Sequence, residues 1–153
     1  IVVRETRAGE LSVVAHLYGA SFDEPYPEPV IASLLRTPGA WCQLACSVET
    51  GAVLGFVIAR AILDEAEILS IGTMPAARRK GVASALLEAT FSIALQAKCR
   101  VVHLEVGEDN PGAGALYREI GFRATGRRAN YYRRANRSRV AAILMTYDLT
   151  NQQ

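Results

Sequence analysis

The sequence predicts one mixed α/β domain, on three observations. Its 153 residues fit a single domain with room for a hydrophobic core, and 50% of them are hydrophobic. Apolar residues alternate with period two in some segments and recur at helical spacing in others. The two kinds of segment interleave in the order β-α-α-β-β-β-α-β-α-β-β, without an internal repeat, a low-complexity tract or a second-domain linker.

Val2 to Arg4 reads as a short first strand. Gly9 to Ala20 places Leu11, Val14, Ala15 and Leu17 at helical spacing. Pro25, Pro27 and Pro29 on alternate positions predict a loop over 22–29. A short helix follows from Val30 to Leu35, ended by Pro38-Gly39. Trp41 to Val48 and Val53 to Ala61 read as strands joined by a turn at Thr50-Gly51, and Glu67 to Thr73 as a third strand closed by Pro75. The longest helical pattern, Gly81 to Lys98, carries Val82, Leu86, Ala89 and Ile93 on one face. Val101 to Val106 is rich in β-formers. Asn110 then suits an N-cap, Pro111 the first helical position and Gly121 the stop. Phe122 to Ala124 and Ala141 to Leu149 read as the last strands.

Composition excludes several classes. No apolar run approaches the roughly 18 residues that span a bilayer. Ile1 to Glu10 carries acids and no long apolar block, which argues against a secretory leader. The chain opens on Ile1 rather than Met, so a short preceding segment is expected. Cys42, Cys46 and Cys99 are odd in number and lack motif spacing, as expected of reduced thiols in a cytoplasmic protein. With only His16 and His103 as imidazoles, no metal site is expected. The net charge of +2 is uneven: Arg123, Arg127, Arg128, Arg133, Arg134, Arg137 and Arg139 crowd one stretch. That stretch is either a solvated surface or the mark of an anionic partner. Few interleaved aromatics and no nucleic-acid motif argue against RNA or DNA.

Two groups of residues carry chemistry. Arg78-Arg79-Lys80-Gly81-Val82-Ala83 stands between a strand and the long helix. A helix N-terminus exposes unpaired N–H groups and the positive end of its dipole, and Gly81 and Ala83 leave a ligand room. The segment is either an ordinary helix start or an anion cradle suited to a diphosphate. Farther on, His103 and Glu105 point to one face of their strand while Leu104 and Val106 point to the other. A carboxylate inside an apolar strand needs a partner or a wet site. Tyr117 is either a core aromatic or a reactive hydroxyl. His103 either joins Glu105 in a proton relay or only packs.

These runs resemble a known superfamily. Ile68-Leu69-Ser70-Ile71-Gly72-Thr73-Met74-Pro75, then Arg78 to Ala83 and Leu86-Leu87, are similar to the core motif of the GNAT (GCN5-related) N-acetyltransferases. Leu104-Glu105-Val106, Asn110, Leu116-Tyr117 and Gly121-Phe122 resemble the next motif. Leu63 to Ala66 and Arg127-Arg128-Ala129-Asn130-Tyr131-Tyr132, with one extra residue, are most like the RimI branch, the bacterial ribosomal-protein alanine N-acetyltransferases.

The resemblance implies the GNAT fold, a mostly antiparallel sheet flanked by helices, as a single domain over residues 1–153. It implies acetyl-CoA as co-substrate. The strand at Ile71, Gly72 and Thr73 would bulge towards the pantetheine arm. Arg78, Arg79, Lys80, Gly81, Val82, Ala83 and Ser84 would hold the diphosphate, and Asn110 would lie near the arm. Glu105 would be the general base and Tyr117 the general acid, with Glu67 a second-choice base. Pro25, Tyr26, Glu67, Tyr131 and Tyr132 would line the acceptor slot.

The implied acceptor is a protein N-terminal α-amine, such as that of a ribosomal protein. A small amine (polyamine, amino acid or aminoglycoside) is the alternative, and a non-catalytic acyl-CoA sensor the alternative of another class. RimI-like sequences tend to be acidic after the tyrosine pair. Here Arg133, Arg134, Arg137 and Arg139 follow it, a basic rim suited to an acidic acceptor. Monomer and homodimer both remain open.

Overall fold

Alternating apolar runs become the strands of one seven-stranded sheet, and amphipathic segments cover both of its faces. The computed structural model describes residues 1–7, 9–21, 27–134, 136 and 138–151. Its strands are β1 (Val2–Glu5), β2 (Ala40–Cys46), β3 (Val53–Ile62), β4 (Glu65–Thr73), β5 (Val101–Gly107), β6 (Arg123–Arg133) and β7 (Arg139–Asp148). Its helices are α1 (Leu11–Ser21), α2 (Glu28–Leu35), α3 (Val82–Gln96) and α4 (Pro111–Ile120). The spatial order is β1-β2-β3-β4-β5-β7-β6. Every pairing is antiparallel except β4 with β5.

Two hydrophobic layers sandwich the sheet. On one face Val14, Leu17 and Ile31 of α1 and α2 meet Cys42, Leu44, Phe56 and Ile58. On the other, Val82, Leu86, Leu87 and Ala94 of α3 meet Val57, Ala59, Ile68, Val102 and Leu104. Tyr117 of α4 and Phe122 belong to this second layer. Both layers exclude water from apolar surface, which is what holds helices to the sheet. Cys42, Cys46 and Cys99 are buried and free.

α3 approaches β3 closely. A Cβ on Gly55 would stand 2.7 Å from the Gly72 carbonyl oxygen and 2.8 Å from Val82 Cγ1. Glycine at this position therefore lets the first turn of α3 rest on β3 and β4.

The element order is the expected one, with three differences in detail. α2 begins at Glu28, inside the expected loop, because Pro29 sits in the first turn where no N–H is needed. The β4 irregularity lies earlier than Ile71 to Thr73: Ile58 pairs with Ser70 and Ala59 with Ile68, so Leu69 is the extra residue. β6 is far longer than Phe122 to Ala124 and runs through the arginines to the tyrosine pair.

Candidate active site

The parting of β4 and β5 makes the site. They pair only from Glu65 with Val101 to Glu67 with His103. Beyond that β4 stays with β3 and β5 with β7, so the sheet splits. The split opens into a cleft of roughly 1750 Å³, walled by Glu67 to Ile71, His103 to Gly107, Asn110, Tyr117 and the β6–β7 hairpin.

Glu105 and Tyr117 enter this cleft from opposite faces. Leu104 and Val106 pack into the α3–α4 layer, so the intervening Glu105 faces the α1–α2 side. Its side chain keeps 26% exposure, and Arg128 Nη2 lies 3.5 Å from its Oε1. Tyr117 comes from α4 in the other layer, 8% exposed, edge-on to Phe122 at 5.9 Å. Burial alone pushes its hydroxyl up to about 12, so it holds its proton at neutral pH.

Glu67 is the last β4 residue paired with β5 and is exposed, with Arg60 Nη2 at 3.5 Å. His103 is turned away from the relay considered above. Its Nε2 lies 3.0 Å from Glu65 and its Nδ1 2.9 Å from the Thr146 hydroxyl. Asn110 caps α4, its side-chain oxygen accepting from the Ala113 N–H at 3.3 Å.

Tyr131 and Tyr132 both line the cleft and meet edge to face at 5.2 Å. Tyr131 is exposed. The half-buried Tyr132 hydroxyl is pushed up to about 12, by burial first and then by the charge of Glu105. Pro25 and Tyr26 lie outside the described residues.

The anion cradle stands at the start of α3. Gly81 has φ +83° and provides no side-chain cap. The first α3 bond is Ala85 N–H to the Gly81 carbonyl, so the N–H groups of Val82, Ala83 and Ser84 have no acceptor within the helix. Arg79 also takes a left-handed φ, +66°. Arg78, Arg79 and Lys80 are exposed. A Cβ at Gly81 would meet nothing within 4 Å, so the ground before the helix is open. Uncapped amides, three cations and open space fit a diphosphate. Gly72 and Thr73 close β4 beside this turn, and Ile71 is the last β4 residue on the cleft wall.

Three arginines of the stretch, Arg127, Arg128 and Arg134, lie against carboxylates. Arg127 meets Glu108 at 2.7 Å, and Arg134 meets both oxygens of Asp109 at 2.8 and 2.6 Å. These arginines hold both carboxyls below the ordinary carboxylate range. Arg137 lies outside the described residues. Within the basic rim Arg134 is therefore neutralised by Asp109, while Arg133 and Arg139 are exposed. Sequence reasoning also missed the Arg128–Glu105 contact and a number of cleft residues, of which two matter most. One is Leu34 of α2. The other is Ser70, buried, its hydroxyl without a hydrogen-bond partner among the described residues.

Comparison with known proteins agrees with this geometry. Residues 11–122 match the acetyltransferase (GNAT) family. The ribosomal protein bS18-alanine N-acetyltransferase of Haemophilus ducreyi is 33% identical over 114 residues, 74% of this chain and 78% of that protein. The N-alpha-acetyltransferase RimI of Mycobacterium tuberculosis is 34% identical over 115 residues, 72% of this chain and 70% of that protein. The crystal structure of the ribosomal-protein-S18-alanine N-acetyltransferase from Escherichia coli superposes with a TM-score of 0.89 at 26% identity, covering 99% and 96% of the two chains.

Proposed function

Because the chain belongs to the acetyltransferase (GNAT) family of acetyl-CoA-dependent N-acetyltransferases, we propose that its acceptor is the α-amine of a protein N-terminus. The observation that carries this reading is the two-sided split. Glu105 stands on the α1–α2 side of β5 and Tyr117 on the α3–α4 side, both walling the gap left by β4. Relatives named for the alanine of ribosomal protein bS18 support the same acceptor class.

The division of labour follows from charge. An α-ammonium has a pKa near ~8 and is mostly protonated at neutral pH. Glu105 accepts its proton, directly or through a water, and frees the lone pair. Tyr131 and Tyr132 flank the acceptor's first residues. Bound acetyl-CoA supplies the thioester carbonyl that the amine attacks. Amides of Val82, Ala83 and Ser84 hold the diphosphate, with Arg78, Arg79 and Lys80 adding attraction. Ile71, Gly72 and Thr73 would present backbone groups to the pantetheine arm, and Asn110 would lie near it. An amide on the β4 edge that has left β5 faces the developing oxyanion. Tyr117, which burial keeps neutral, gives its proton to the departing sulfur.

The test uses isotope-labelled acetyl-CoA and a panel of peptides and small amines, read by mass spectrometry. Label on peptide α-nitrogen is the expected product. Label only on lysine side chains or on polyamines would contradict the reading.

A further inference from the structure

We infer that Arg128 sets the charge preference of the acceptor slot, by occupying the place on Glu105 that the incoming ammonium takes and then meeting the acceptor's second residue. This rests on the N-terminal α-amine reading above.

Three observations separate Arg128 from its neighbours. First, its contact with Glu105 is loose. Nη2 stands 3.5 Å from Oε1, and the arginine side chain is 53% exposed. The neighbouring pairs Arg127–Glu108 and Arg134–Asp109 close to 2.7 and 2.6 Å, the range of charge-assisted hydrogen bonds. Arg128 is therefore held near Glu105 without being locked to it.

Second, a bulge aims it there. Arg128 pairs with Ala142 and Tyr132 with Val140, so Ala129, Asn130 and Tyr131 stand opposite Ala141 alone. Asn130 takes a left-handed φ of +54° to make the bend. The bend returns the Tyr131 ring to the Arg128 guanidinium, 5.2 Å from the ring centroid. Third, the carboxylate it contacts is the one proposed above to receive the acceptor's ammonium.

An ammonium and a guanidinium cannot both take Glu105 without repulsion. When the acceptor amine docks, Arg128 is displaced by a few ångströms and remains beside the acceptor's first residues. An acidic second residue gives it a new partner. A basic second residue sets two cations face to face. Arg127 and Arg134 do not contribute, because Glu108 and Asp109 already hold them.

The experiment compares kcat/KM for two peptides that share their N-terminal residue and differ only in Asp or Lys at the second position. It uses wild type, Arg128→Gln, Arg128→Lys and Arg123→Gln. Arg123 is exposed on the same strand and removes the same charge outside the cleft. Wild type is expected to prefer the Asp peptide by roughly three- to tenfold, the scale of one exposed ion-pair exchange. Arg128→Gln should abolish the preference. Arg128→Lys and Arg123→Gln should keep it, and high salt should weaken it. Equal rates on both peptides in wild type, a Lys preference, or an Asp preference that survives Arg128→Gln would overturn the inference while leaving the α-amine reading intact. A wild type that acetylates neither peptide, while labelling a small amine, overturns that reading and the inference with it.

Discussion

Replacing Gly55 by alanine tests how the fold positions the coenzyme turn. The new Cβ would lie 2.7 Å from the Gly72 carbonyl oxygen, 2.8 Å from Val82 Cγ1 and 3.4 Å from Leu86 Cδ1. The first neighbour is β4 backbone and cannot yield without disturbing the sheet. The other two belong to α3, so the helix must move outward. Overpacking of this kind costs about 1–3 kcal/mol. For a chain of this size that is a fall of roughly 2–12 °C in Tm. An α3 start pushed off the sheet also aims its amides away from a bound diphosphate, so acetyl-CoA affinity should drop in the same variant. Calorimetry measures both quantities. Gly112→Ala is the control, because its Cβ meets nothing within 4 Å in α4, and helix propensity predicts a gain of about 0.5–1 kcal/mol. A Gly55→Ala protein that melts with wild type and binds acetyl-CoA equally well would refute the packing argument.

Two further predictions follow from ionisation. Tyr117→Phe keeps the ring against Phe122, so Tm should hold while kcat falls by about 10²–10⁴-fold if the hydroxyl is the acid. Because burial lifts that hydroxyl from about 10 to about 12, its proton stays in place through pH 10. A falling limb of kcat near pH 10 that vanishes in Tyr117→Phe would contradict this. Glu10 is held down to about 2, first by the Arg4 side chain and then by the Arg7 N–H. A depressed carboxyl contributes stability that is present above its unfolded value of about 4.5 and lost as pH falls towards 2. Glu10→Gln should therefore lower Tm at pH 7 and leave it near wild type at pH 2, and equal deficits at both pH values would contradict the linkage.

What the sequence revealed and what it hid have physical reasons. Strands with one or both faces buried, such as β2 and β5, announce themselves through apolar patterning. Among the described residues β6 pairs only with β7 and is exposed at every position but Tyr132, so it has no buried face and no period to detect. The Leu69 bulge is hidden because Ile68 and Leu69 are both apolar, one packing in each layer. The Gly81 turn was legible because its chemistry is local: cations, glycine and helix start adjoin in sequence. The Glu105–Arg128 contact was not. It depends on β5 and β6 both pairing with β7 in one register, Gly107 and Arg128 each opposite Ala142. The pairing of Arg127 and Arg134 was hidden for the same reason, since Glu108 and Asp109, which hold them, come from the β5–α4 turn.

The most direct test of the central claim is the pH dependence of kcat for Glu105→Gln on an acceptor peptide with a free N-terminal α-amine, alongside its acetyl-CoA affinity. If Glu105 deprotonates the acceptor, the variant binds coenzyme as wild type does and turns over about 10²–10⁴-fold more slowly at neutral pH. The deficit should shrink as pH rises past the α-amine's pKa of ~8, where the amine arrives already neutral. A variant whose rates overlay wild type at every pH would contradict the claim and turn attention to Glu67, a second glutamate on the cleft wall.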